Sequence, residues 1–150
     1  MRIDEVLAEY AARGVFQGYS KAGRGSWKML WHRNQTFVLT AGQNSLAFET
    51  VLPKVGPRSP MMSAYRAFVR GLQSKDLPEH RRIDRAKVRL RVTAAKGDAG
   101  LAAMYTDDPE YAVRKLIAAV HETYLVFLYD GAYYDYLVET FDLDPDSLAT

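Results

Sequence analysis

The sequence predicts an α+β fold: a two-layer domain in which helices cover one face of a mostly antiparallel sheet of about five strands. Three observations predict it. Segments with apolar residues at helical spacing bracket segments that alternate apolar and polar residues with a period of two. The alternating segments lie close together and are joined by short turns containing Gly, Asn or Ser, as hairpins are. No linker, internal repeat or low-complexity tract divides the 150 residues, a length that suits a single domain with its own core.

A first helix is expected over about 3 to 13. Ile3, Val6, Leu7 and Tyr10 share one face, Asp4 and Glu5 lie in the first turn, Arg13 lies in the last, and Gly14 follows as a stop. Residues 15 to 55 read as a meander of three strands, with Val15 to Ser20 as a possible short fourth. Lys21-Ala22-Gly23-Arg24-Gly25-Ser26 has loop composition. Trp27 to Arg33 alternates Trp27, Met29 and Trp31 with Lys28, Leu30 and His32. Asn34-Gln35 reads as a tight turn into Thr36 to Ala41, and Gly42-Gln43-Asn44-Ser45 reverses the chain into Leu46 to Val55.

Gly56-Pro57-Arg58 ends the meander, and Ser59-Pro60 opens a helix. A capping hydroxyl is followed there by proline at the first helical position, where a missing N–H costs nothing. Met61, Tyr65, Phe68 and Leu72 form its apolar stripe, and Lys75 to Asp84 is a polar connector. Arg85 to Ala94 and Ala99 to Thr106 read as two strands around a Lys96-Gly97-Asp98 hairpin turn. Asp108-Pro109-Glu110 opens the most strongly patterned helix. Its apolar face is Val113, Leu116, Ile117, Val120, Tyr124, Phe127 and Leu128, and Arg114, Lys115, Ala118, His121 and Glu122 lie opposite. Leu125 and Tyr129 continue that polar stripe, so the last two turns are apolar nearly all round. Asp130-Gly131 breaks the helix, and Ala132 to Phe141 reads as a shorter one. Either it folds back over Leu125 and Tyr129, or both dock on a second subunit. An acidic tail begins at Asp142, with Asp144-Pro145 as a final cap. The order α-βββ-α-ββ-α-α is similar to that of bacterial secretion chaperones and related small dimeric domains, a likeness of element order that no motif carries.

Composition narrows the function classes. Hydrophobic residues make up 48% and charged residues 25% of the chain, the balance of a globular protein. Without cysteine there is no disulfide framework, thiol nucleophile or thiolate metal site. Met1 to Glu5 lacks the apolar run of a signal peptide. The most apolar segment, Tyr111 to Tyr129, carries Arg114, Lys115, His121 and Glu122, which a bilayer-spanning helix would not bear cheaply. The expectation is a soluble, cytoplasmic protein with no membrane contact. The formal charge of +2 conceals an asymmetry: residues 1 to 100 hold 18 Lys/Arg against 8 Asp/Glu, and residues 101 to 150 hold 2 against 10. Either the acidic third neutralises the basic body, or each end meets partners of opposite charge.

The sharpest local feature is Arg85, Lys87, Arg89 and Arg91 alternating with Ala86, Val88, Leu90 and Val92, with Arg81 and Arg82 just upstream. On a strand, four cations would line one face. Such a row meets an acidic protein surface, tracks a phosphate backbone, or guards an edge strand against aggregation. Trp27 and Trp31 beside Lys28, His32 and Arg33 form either a base-stacking platform or the buried side of the sheet, and period two favours the core. Gly23-Arg24-Gly25-Ser26 lacks phosphate-loop spacing and reads as a hairpin loop. His32, His80 and His121 show no metal-ligand spacing, and no nucleophile elbow or S-x-x-K is present. No cofactor, metal or catalytic residue is indicated. The tyrosine-dense end, with Leu125, Tyr129, Tyr133, Tyr134 and Tyr136, either closes the core or forms an oligomer interface.

These observations lead to a non-enzymatic, homo-oligomeric binding or adaptor domain, possible as a chaperone-like module, that offers its basic sheet face to an acidic protein partner. Nucleic-acid binding through the same strand is the alternative. A small enzyme or ligand binder with a pocket between sheet and helices is the third class.

Overall fold

Apolar residues that alternate along each strand all turn to one side of a single antiparallel sheet. The computed structural model describes residues 2–129 and 133–142, and its six strands run in the order β1-β2-β3-β4-β6-β5. They are β1 (Gly18–Gly23), β2 (Ser26–Trp31), β3 (Gln35–Gly42), β4 (Ser45–Leu52), β5 (Val88–Ala95) and β6 (Asp98–Tyr105). Trp27, Met29, Trp31, Phe37, Leu39, Phe48, Leu90 and Leu101 all point to the covered side. There they meet α1 (Arg2–Ala12), α2 (Pro60–Leu72) and α3 (Pro109–Glu122). The fold is α+β.

The hairpins have the turn chemistry their composition calls for. Gly25 has φ 67°, Asn44 φ 56°, and Lys96 and Gly97 have φ 55° and 77°, left-handed values that two-residue hairpin turns require. Both expected N-caps form: Ser59 Oγ accepts from the Met62 N–H at 3.1 Å, and Asp108 Oδ1 from the Tyr111 N–H at 3.0 Å. The Trp27 indole donates to Asp4 at 2.6 Å and ties α1 to the sheet.

The structure corrects the expected strands in three places. The short fourth strand of the meander is present but shifted to Gly18–Gly23, because Lys21 to Gly23 belongs to β1 and only Arg24-Gly25 turns. Asn34-Gln35 is not a simple turn: His32–Asn34 form a single 3₁₀ turn in which Arg33 and Asn34 are left-handed. The fifth strand begins at Val88, so Arg85 and Lys87 do not stand on it. Asp84 holds that segment in a turn, its carboxylate accepting from the Ala86 N–H at 3.0 Å and its carbonyl from the N–H groups of Lys87 and Val88.

Helix α3 runs on as a π-helical turn over Thr123–Phe127. It buries Tyr124, whose hydroxyl donates to the Val51 carbonyl. Of the expected last helix, α4 covers Tyr134–Thr140. The Asp130-Gly131 break and the acidic tail with its Asp144-Pro145 cap lie outside the described residues. No described helix is long and apolar enough to cross a membrane.

Strand β4 bulges between Phe48 and Leu52, and the bulge lies over Gly100 of β6. A Cβ on Gly100 would sit 2.4 Å from the Glu49 carbonyl oxygen and 2.6 Å from that of Phe48. Backbone on one side leaves no route for relief. Gly100→Ala is expected to destabilise the fold by about 1–3 kcal/mol, read as a lower urea midpoint; an unchanged midpoint would contradict this packing.

Candidate functional site

Strand β5 is an edge strand, and its cations stand beside those of α2. Arg89 and Arg91 project from the side of β5 opposite Val88 and Leu90, which are buried. Arg85 and Lys87 stay exposed on the preceding turn. Arg66 and Arg70, one helical turn apart on α2, reach the same edge. Two shallow grooves of about 190 and 480 Å³ run along this junction. Arg66, Arg70 and Arg91 line one, and Arg70, Lys75, Arg85 and Arg89 line the other, with Asp76 as the single carboxylate.

The six cations expected to act together divide in two. Arg85, Arg89 and Arg91 make no ion pair with any described carboxylate. Lys87 rests its ammonium 5.2 Å from the Tyr111 ring centroid. Arg81 and Arg82 are tied back to the fold: Arg81 lies 3.8 Å from Glu122, and Arg82 Nε donates to the Leu77 carbonyl at 2.7 Å. They belong to the connector and not to the strand's row.

The edge is also partly closed. Outward-facing backbone groups of an edge strand invite pairing, and at Leu90 the Gln73 side chain takes both of them. Its Oε1 accepts from the Leu90 N–H at 2.8 Å, and its Nε2 donates to the Leu90 carbonyl at 3.1 Å. Antiparallel alternation turns the N–H and C=O of Val92 the same way. On the open face the arginines overlook small side chains: Arg91 pairs across to Ala102, which pairs to Ala47, which pairs to Thr40. Arg89 stands opposite Met104, which is 45% exposed.

The tyrosine-dense end divides as well. Tyr133 stacks on Phe127 at 5.6 Å, and the Tyr136 hydroxyl donates to the Pro53 carbonyl. Tyr133, Tyr134 and Tyr136 are half-buried against the core, so α4 does fold back, over Phe127 and Pro53. Leu125 and Val126 stay exposed at 49% and 42%, and Tyr129 lies under the Arg33 guanidinium at 5.2 Å.

Sequence spacing missed a second cluster, because His32 and His121 are far apart in the chain. The His32 ring stacks on Trp31 at 4.6 Å and on Tyr124 at 4.7 Å, and the His121 ring centroid lies 5.3 Å away. His32 Nε2 is shut from solvent with no hydrogen-bond partner among the described residues. Burial, then His121 and then Arg33 lower its pKa from 6.5 to about 4. A cleft of about 610 Å³ opens beside the cluster between the turn after α1, the 3₁₀ turn and the π turn. The pattern H-R-N just after a strand was the one sequence trace, since Asn tolerates left-handed backbone.

Trp27 and Trp31 are core residues, 0% and 5% exposed, and offer no stacking platform. Among the described residues no group of three His, Asp or Glu is placed to hold a metal ion. Comparison with protein families, with curated proteins and with solved structures gave no match.

His32 makes stability pH-dependent. The unfolded chain takes up this proton near pH 6.5 and the folded chain only near 4, so between those values the unfolded state holds more protons. Stability conferred by the neutral ring is therefore complete above pH 6.5 and is lost as pH falls toward 4. His32→Phe, which keeps the ring stack but cannot titrate, is expected to lose less Tm than the wild type between those values. Parallel Tm–pH curves would refute the buried neutral ring.

Proposed function

We propose that this chain is a binding domain that takes an acidic segment of a protein partner along the β5–α2 edge. The observation that carries the reading is Arg85, Arg89 and Arg91, exposed and in no ion pair with a described carboxylate, beside Arg66 and Arg70. Guanidinium groups hold carboxylates through two parallel N–H donors and desolvate more readily than ammonium groups. Three further features favour a polypeptide. Exposed Met104 supplies an apolar contact among the cations, the floor of Ala102, Ala47 and Thr40 lets a backbone come close, and Val92 turns an N–H and C=O outward, with no partner among the described residues, toward an extended segment. Base stacking lacks support, since both tryptophans face the core.

The test compares a fluorescent oligoglutamate peptide with a duplex DNA of similar charge, each titrated at low and physiological salt. The peptide is expected to bind the wild type in a salt-dependent way. Replacing Arg85, Arg89 and Arg91 together with glutamine is expected to weaken it about ten- to a hundredfold, at roughly 0.5–1 kcal/mol per exposed pair lost. DNA binding tighter than peptide, with a steep salt slope, transfers the site to nucleic acid. Peptide binding unchanged in the triple variant removes the edge from the proposal.

Self-association is the second part of the proposal, supported by the adjacent exposed pair Leu125 and Val126. Light scattering in the micromolar range is expected to give the mass of two chains for the wild type and of one for Leu125→Glu; a single-chain mass for the wild type ends this part.

A further inference from the structure

Three features that seldom coincide meet at the cleft beside His32. Arg33 and Asn34 are consecutive non-glycine residues at φ 57° and 56°, a conformation costing about 1–2 kcal/mol at Arg33, while Asn34 adopts it more readily. The π turn at Thr123–Phe127 interrupts α3 on the opposite wall, and such turns cluster at functional sites. Between them His32 keeps a buried nitrogen without a partner, itself a cost of about 1–3 kcal/mol. The π turn also carries Tyr124 and Phe127 into the core, but covering the sheet requires neither the left-handed pair nor the unpartnered nitrogen. Strain and an unmet polar atom concentrated at one concavity point to a ligand.

The lining defines the ligand's chemistry. Among the described residues the cleft has no Asp or Glu on its wall, while Arg33, His32 and His121 all line it. The remaining wall is largely apolar, with Val15 and Tyr129 prominent. Arg33 is held in place over the Tyr129 ring, so its position is set before a ligand arrives. A volume of about 610 Å³ is within the ordinary span for small-molecule sites.

We propose that this cleft binds a small organic carboxylate, its acid group held by Arg33 and His121 and its apolar body lying against Val15 and Tyr129. An inorganic anion would leave the apolar wall unused, and a neutral ligand would leave the guanidinium unmatched.

The experiment titrates the full chain with benzoate and follows the ring-proton NMR signals of the three histidines, with calorimetry for affinity. Benzamide, acetate and inorganic phosphate are the comparison probes. Saturable shifts of His32 and His121 are expected, with His80 still, and binding at least about tenfold tighter for benzoate than for any of the other three. Arg33→Asn removes the charge and retains a residue that accepts left-handed backbone; it is expected to weaken benzoate at least about tenfold with the fold intact by Tm. If that variant unfolds, His121→Gln carries the same expectation. The proposal is overturned by any of four results: no saturable shift up to about 10 mM benzoate, equal binding of benzamide or phosphate, undiminished binding in the folded variant, or loss of benzoate binding in the Arg85, Arg89 and Arg91 triple variant, which would put the anion on the basic edge.

Discussion

The period-two alternation carried across six antiparallel strands is the constraint on which the rest of this structure depends. Trp27 pairs with Leu39, Leu39 with Phe48, and Phe48 with Leu101, so one row of large side chains crosses four strands on the covered face. A slip of one residue in any strand would send its core set into water and its polar set inward. The same register that buries Leu90 and Leu101 turns Arg91 and Ala102 to the open face. Core and candidate binding surface are two sides of one pairing pattern.

A sheet of this kind ends in an unpaired edge, and the chain handles that edge with both charge and hydrogen bonding. Gln73, just past α2, fills the outward pair of Leu90 as a neighbouring strand would. The exposed arginines discourage pairing with an identical edge, since like charges would then face one another. Protection against self-pairing and attraction for an acidic segment are therefore compatible in one surface: cations that repel a second basic edge draw a carboxylate-bearing chain.

At the other end of the molecule the fold departs from regular geometry where it gains contact. The π turn brings Tyr124 against His32 and Val51, and Gln35 Nε2 donates to the same tyrosine hydroxyl at 3.0 Å. Burial raises the pKa of that hydroxyl, which thus remains a neutral donor. Tyr65, packed against Phe68 and Phe127, is held neutral for the same reason and meets Thr123 at 2.9 Å. These bonds satisfy the polar groups that the interrupted helix brings into the core, while the His32 nitrogen on the facing turn has no partner among the described residues.

Alternation, caps and turn residues are local properties, and they made most elements legible: both proline-led helices, the hairpin at Lys96-Gly97, the buried face of α3 and the core role of Trp27, Met29 and Trp31. Strand limits were less so. Arg85 and Lys87 continue the alternating pattern, but the Asp84 side chain competes for the backbone and delays the strand to Val88. The candidate site was half legible, because a row of cations is visible in a strand while its helical neighbours Arg66 and Arg70 join only through packing. The histidine cluster was invisible, since His32 and His121 are separated by most of the sheet in the chain. By itself, then, the sequence determined which residues are buried and where the chain turns, because those follow from spacing and backbone preference. Tertiary structure alone decided which cations remain unpaired and which rings meet, because ion pairing and stacking depend on distances that close only when the layers do.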